Sequence, residues 1–213
     1  MSLLSVLAKG GWLMIPIGLC SLIAVGFFVE RLIVLRKAKI NLNAFLLKIR
    51  QSISKQDFDN ALRLCSTTPG PISKVLEKGI RLRGQSREEI KDAIESAGRA
   101  EIYQLERGLG ALATIAGVAP LLGFLGTVTG MIQAFMRIQE LSGNVNATVL
   151  AGGIWEALIT TAAGLIVGIP ALLAYNYLVT KVQRMVFELE LSSTNLLELL
   201  GTSQQKGAVA DEI

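Results

Sequence analysis

Three long runs without a charge punctuate the chain. Gly10 to Val29 is 20 residues, Gly108 to Met136 is 29, and Ala157 to Thr180 is 24. A helix needs about 20 apolar residues to cross a bilayer core, so each run predicts a membrane-spanning helix. Together they predict an all-α polytopic membrane protein. Between the first two runs the pattern changes to short amphipathic helices. Ser54-Lys55-Gln56-Asp57 reads as an N-cap ahead of Phe58, Ala61, Leu62 and Leu64. Thr67-Thr68-Pro69-Gly70-Pro71 is a break, and Ile72, Val75, Leu76 and Ile80 follow at helical spacing as far as Gly84. Ser86 with Glu89 forms a capping box. Nothing interrupts the helical pattern from there to Pro120, which predicts one continuous helix running into the second span. The third span continues through Met185, Phe187, Leu189, Leu191, Leu196 and Leu200, with a frayed polar tail expected from Gly201 to Ile213.

Charge orients these elements. Residues 36–107 hold 15 Lys and Arg against 9 Asp and Glu, while 137–150 carry only Arg137 and Glu140. The positive-inside rule then puts the 36–107 block in the cytoplasm. The expected layout is an N-terminal periplasmic segment at 1–11, a first span at 12–35, a cytoplasmic helical region at 36–107 and a second span at 108–136. A periplasmic loop at 137–150, a third span at 151–180 and a cytoplasmic C-terminal helix and tail at 181–213 complete it. Two of the three helices extend far into the cytoplasm in this reading. Lys9 alone precedes the first apolar run, whereas Glu30, Arg31, Arg36, Lys37 and Lys39 follow it. That is the layout of a retained helix rather than a cleaved signal peptide.

Composition then narrows the chemistry. The chain has 213 residues, 51% of them hydrophobic, a net charge of +4, two cysteines and no histidine. Without histidine there is no imidazole catalysis or proton relay, and few zinc patterns survive. Cys20 and Cys65 fall on different sides of the expected layout, which argues against a disulfide. The basic block is mixed in sign and poor in aromatics, so nucleic acid is not an expected partner. No nucleophile–base pair, metal cluster or phosphate loop is visible, and no catalytic residue, metal or cofactor is implied.

Glu156 is the candidate functional residue. It is the one charged residue between Leu141 and Thr180. A carboxylate at mid-depth costs about 2.5–3.5 kcal/mol on insertion scales, so it marks a functional site by default. At 100° per residue, Gly152, Glu156, Thr160, Ala163, Val167 and Pro170 share one face, within about 40° of Glu156. Thr161 lies about 140° away on the same wheel, and Gly164 about 80°. In the second span, Ala116, Pro120, Gly123, Thr127, Gly130 and Ala134 form a stripe of mostly small residues with Thr127 at its centre. Gly126 with Gly130, and Gly164 with Gly168, have the GxxxG spacing of close helix packing. Pro120 and Pro170 each remove a backbone donor inside a helix.

These residues carry a resemblance. The run Leu112-Ala113-Thr114-Ile115-Ala116-Gly117-Val118-Ala119-Pro120-Leu121-Leu122-Gly123-Phe124-Leu125-Gly126-Thr127-Val128 resembles the second span of the ExbB/TolQ/MotA proton-channel family. The run Gly153-Ile154-Trp155-Glu156-Ala157-Leu158-Ile159-Thr160-Thr161-Ala162-Ala163-Gly164-Leu165, continuing to Ile169-Pro170-Ala171, resembles its third span, and Glu30-Arg31-Leu32 fits the end of its first. Length and three spans point to the ExbB and TolQ branches. The resemblance implies a homo-oligomeric ring, a pentamer, in the bacterial inner membrane. Inside the ring would stand the single transmembrane helix of an ExbD- or TolR-like partner bearing a membrane aspartate, which none of this chain's spans has. The assembly would use the proton-motive force to drive a TonB- or TolA-like protein. Thr127, Glu156 and Thr161 match the family's pore-lining polar positions, whereas the wheel favours Thr160 beside Glu156. Trp155 is bulkier than the residue expected before the glutamate.

Two other classes stay open at this stage. A non-conducting helical scaffold that clamps a single-span partner would show the same small-residue stripes. A solute transporter acting alone is disfavoured by three spans, one membrane carboxylate and no inverted repeat.

Overall fold

A computed structural model describes residues 10–38, 40–140 and 147–211, with the side chains at 147–150 and 203–211 left aside. The expected segment at 1–11 lies outside this range up to residue 9, as does the expected loop at 137–150 between 141 and 146. Every regular element among the described residues is a helix. In order they are α1 (Met14–Ala38), α2 (Leu42–Ser54), α3 (Phe58–Thr67), α4 (Pro71–Arg81), α5 (Arg87–Glu106), α6 (Leu109–Glu140) and α7 (Ala147–Asp211). Helical stretches long and apolar enough to cross a membrane occupy Met14–Ala38, Arg87–Glu140 and Ala151–Thr202. The chain divides into two compact units, Met1–Glu30 with Gly108–Leu178, and Arg31–Arg107 with Val179–Ile213.

In the first unit α6 and α7 meet along small residues. Ala116, Ala119, Gly123, Gly126, Gly130 and Ala134 are the buried line of α6, alongside Leu109, Leu112 and Ile115. On α7 the buried line is Gly153, Ala157, Thr160, Gly164, Gly168 and Ala171. The approach is tight enough to forbid side chains. A Cβ on Gly164 would come 2.5 Å from the Ala119 carbonyl oxygen and 3.0 Å from the Gly123 Cα. One on Gly153 would come 2.6 Å from the Ala134 Cβ. Lipid tails give apolar side chains no reason to leave them, so close backbone packing is what holds such helices together. Pro120 has no N–H for the Ala116 carbonyl. Gly168 lies against that carbonyl and the Pro120 ring, where any side chain would overlap the ring's Cγ. The outward faces are apolar. Trp12, Ile15 and Leu22 on the α1 side, Leu121, Phe124 and Phe135 on α6, and Leu158 and Ile166 on α7 are all exposed.

The second unit is built like a water-soluble helical domain. Phe45, Ile49 and Ile53 of α2, Ala61 and Cys65 of α3, and Ile72, Val75, Leu76 and Ile80 of α4 share one core. Ile90 and Ile94 of α5 and Leu189, Leu196 and Leu200 of α7 complete it. Side chains set the helix starts. The Asn41 carboxamide oxygen accepts from the Ala44 N–H at 3.3 Å, and the Asp57 carboxylate from the Asn60 N–H at 3.1 Å. Gly70, at φ +121°, delivers the chain to Pro71, whose missing N–H costs nothing at a first helical position. The expected Ser86–Glu89 capping box is present, the Ser86 hydroxyl accepting from the Glu89 N–H and the Glu89 carboxylate from the Ser86 N–H. Those bonds favour the ionised carboxylate and hold Glu89 below its ordinary pKa of 4.5. The buried Cys65 thiol is pushed up to about 12 by desolvation and then by the Glu77 charge.

Two expectations fail. The helix expected to run unbroken from Ser86 towards Pro120 stops at Glu106, Arg107 takes ψ 130°, and Gly108 turns at φ +80° before α6 begins. A positive φ is cheap only for glycine. A Cβ at Gly108 would also press on the Phe27 ring, at 2.8 Å from Cδ1. The tail expected to fray from Gly201 instead continues α7 to Asp211. Gly201 merely lowers helix propensity by about 1 kcal/mol relative to alanine, which is not enough to end a helix already propagating.

Candidate functional site

Glu156 occupies the third turn of α7, half-buried at the flank of the small-residue line rather than at its centre. The buried line of α7 is rotated by about 80° from the face that the wheel centred on Glu156. Glycine and alanine permit the closest backbone approach, so they take the centre and push larger polar groups to the edge. Gly152 and Pro170 are consequently exposed, and nothing lies within 4 Å of where a Gly152 Cβ would stand. The packing role expected of Gly152 is therefore not met within this chain. Gly123, Gly126, Gly130, Gly164 and Gly168 all lie in the line itself, with the half-buried Pro120 against Gly168.

The three threonines take different positions. Thr160, 1% exposed, lies one turn beyond Glu156. Its hydroxyl stands 2.8 Å from the Glu156 carbonyl oxygen and 2.9 Å from the Gly10 carbonyl oxygen. The methyl of Thr160 fills the notch at Gly126, leaving no room for a side chain there. Thr161 crosses to the neighbouring helix and donates to the Gly123 carbonyl oxygen at 2.9 Å. Thr127, half-buried on α6, donates to the Phe124 carbonyl of its own helix at 2.6 Å. Each hydroxyl hydrogen is thus directed at a backbone carbonyl. What these oxygens keep for other groups is acceptor capacity.

Sequence reading missed one component. Gly10 and Gly11 precede α1, and Gly11 adopts φ +68°. A side chain on Gly11 would overlap the Glu156 carboxylate. The signal was the adjacent glycine pair, a turn mark at the edge of an apolar run. Among the described residues no group of three or more His, Cys, Asp or Glu could hold a metal ion. The geometry provides one half-buried carboxyl group against the bare backbone at Gly11, on a helix whose neighbouring hydroxyls are turned to backbone carbonyls. Such a group can take up and release a hydrogen ion.

Residues 67–191 match the MotA/TolQ/ExbB proton channel family. The chain is 34% identical over 186 residues to biopolymer transport protein ExbB-like 1 of Synechocystis sp., covering 84% of this chain and 71% of that protein. It is 32% identical over 163 residues to a biopolymer transport protein ExbB homolog of Methanothermobacter thermautotrophicus, covering 76% of this chain and 57% of the relative's length. Against the Tol-Pal system protein TolQ of Haemophilus influenzae it is 48% identical over 92 residues, 42% of this chain and 39% of that one. With three helical stretches able to cross a membrane and a match over more than half its length, this multi-pass membrane chain belongs to the MotA/TolQ/ExbB proton channel family.

Proposed function

We propose that this chain is the channel and stator subunit of a bacterial inner-membrane motor, using the proton-motive force to energise TonB- or TolA-type transport across the periplasm. The carrying observation is Glu156, a half-buried carboxylate on an otherwise uncharged apolar stretch, beside the line where α6 and α7 pack most closely. Proton movement and threonine acceptors at Thr127, Thr160 and Thr161 belong to this reading. So does the topology in which the N-terminus is periplasmic and both 36–107 and the C-terminus are cytoplasmic. The chain would assemble as a pentamer around the single membrane helix of an ExbD- or TolR-like partner. Apolar outward faces on all three spans support burial against lipid and other copies.

The energy scale fits. One elementary charge crossing 100 mV releases about 2.3 kcal/mol. That is enough to bias packed helices between two arrangements a few kcal/mol apart. Hydrogen ions would pass by way of the partner's aspartate, with Glu156 and the threonine oxygens as the polar lining. Relatives named for biopolymer transport and for the Tol-Pal system support the choice of output.

A scaffold that clamps the partner without conducting is the second reading, favoured by the glycine line itself. Proton flux into liposomes holding the chain with its partner separates them. Conduction is expected with Glu156 and is lost in Glu156→Gln with assembly intact. Full flux and full transport in Glu156→Gln would refute the role of the carboxylate.

A further inference from the structure

Glu156 meets the turn that precedes α1 at Gly11. Gly11 sits at φ +68°, a region open to glycine at little cost. Its carbonyl accepts from the Met14 N–H at 3.2 Å and so starts α1. A Cβ built on Gly11 would overlap Oε1 of Glu156, and would lie 3.3 Å from its Cδ and 3.8 Å from its Cγ. The residue before it is fixed by independent contacts. Gly10 is buried, its carbonyl oxygen lies 2.9 Å from the Thr160 hydroxyl, and a Cβ on it would come 2.6 Å from the Met14 Cγ and 3.2 Å from the Ile159 Cγ2. At Gly11 it is therefore backbone that lies against Oε1 of Glu156.

We propose that Gly11 is a positioning residue for Glu156: the bare backbone of the Gly10–Gly11 turn closes one side of the carboxyl group and sets where it exchanges hydrogen ions. This rests on the function proposed above. Thr160 ties the two parts together, because its hydroxyl lies between the carbonyl of Glu156 and that of Gly10. Any side chain at Gly11 displaces the carboxyl from the turn. The exposed flank of α7 remains the open route to a partner. Asparagine tolerates the left-handed backbone better than alanine but carries a Cβ all the same, so Gly11→Asn isolates overlap from backbone strain.

The test uses the full chain in native membranes, with carbodiimide labelling of Glu156 read by mass spectrometry and energised transport read in parallel. Gly11→Ala and Gly11→Asn are each expected to raise the labelling rate at least threefold and to lower transport at least tenfold. Glu156→Asp, one methylene shorter, is expected to return transport of the Gly11→Ala chain to the level of Glu156→Asp alone. An unchanged labelling rate in both Gly11 variants overturns the proposal. A double variant no better than Gly11→Ala, where Glu156→Asp alone is active, overturns it as well. If Glu156→Asp alone is inactive, the labelling rate decides. Full transport in Glu156→Gln would sink the proposed function instead, and the labelling comparison would still judge the turn.

Discussion

Replacing Gly164 by alanine tests the packing that holds the site. The new Cβ would lie 2.5 Å from the Ala119 carbonyl oxygen, 3.0 Å from the Gly123 Cα and 3.1 Å from the Gly123 nitrogen. All three are backbone atoms, so no rotamer change relieves the overlap. One helix must retreat by about 0.9 Å to restore ordinary contact, and a gap of about 0.5–1 Å forfeits a quarter to a half of each dispersion contact it opens. Overpacking of this kind costs about 1–3 kcal/mol. Alanine returns about 1 kcal/mol of helix propensity, which leaves a net loss of about 0–2 kcal/mol against wild type and about 1–3 kcal/mol against a glycine-to-alanine change that meets no neighbour. For a chain of this size that is a Tm up to about 8 °C below wild type and about 2–12 °C below the unhindered change. Thermal unfolding in detergent, followed by the fluorescence of Trp12 and Trp155, measures it. Gly117→Ala is the control, because nothing stands within 4 Å of a Cβ there. It keeps the propensity gain and should match or exceed wild type. Equal melting temperatures for Gly164→Ala and Gly117→Ala would refute the reasoning.

Thr161→Val removes the donor to the Gly123 carbonyl. Its expected cost is about 0.6 kcal/mol, the mean for hydrogen bonds between membrane helices, with Thr161→Ser restoring stability in the same melting assay. Ser86→Ala deletes the α5 cap and should cost the Arg31–Arg107 unit about 1 kcal/mol in a denaturant titration. Glu89, its partner in the cap, has a lowered pKa, so its stabilisation is present above the ordinary value of 4.5 and is lost as the pH falls through the folded value. Ser86→Ala should flatten that acid limb of the stability profile. Cys65 behaves oppositely. Its thiol rises from 9.0 to about 12, so its stabilisation is complete below pH 9 and drains away as the pH climbs towards 12. A water-soluble maleimide at pH 8 should leave Cys65 unlabelled in the native protein and label it after unfolding.

Much of the fold was legible because the bilayer imposes a coarse rule. Uncharged runs of 20 or more residues have few alternatives to a spanning helix, and α1, α6 and α7 occupy those runs. Caps were legible for a local reason, since Ser86 and Glu89 need nothing beyond their own turn to bond each other. The break at Arg107–Gly108 was not legible. Glycines are common in this chain, and only the ring of Phe27, distant in sequence, marks Gly108 as a bend rather than another small residue. The continuation of α7 past Gly201 escaped for the converse reason, because one glycine reads as an ending when the helix before it is not weighed.

The facing of Glu156 is the more instructive discrepancy. A wheel weighs every small or polar residue alike, so it centred the α7 face on the glutamate and gathered Gly152, Thr160 and Pro170 around it. Packing obeys a sharper criterion: which residues allow two backbones to touch. Gly153, Ala157, Gly164 and Gly168 do, and their line leaves Glu156 on the shoulder. A carboxyl group at the centre of that line would have held the helices apart, and buried there without a partner it would have carried a large desolvation penalty. On the shoulder it keeps the anchorage of the rigid helix pair while its Oε1 lies against the bare backbone at Gly11. Rigid support and chemical access are thus supplied by adjacent faces of one helix. Thr160 belongs to both, with its methyl in the Gly126 notch and its hydroxyl between the carbonyls of Glu156 and Gly10.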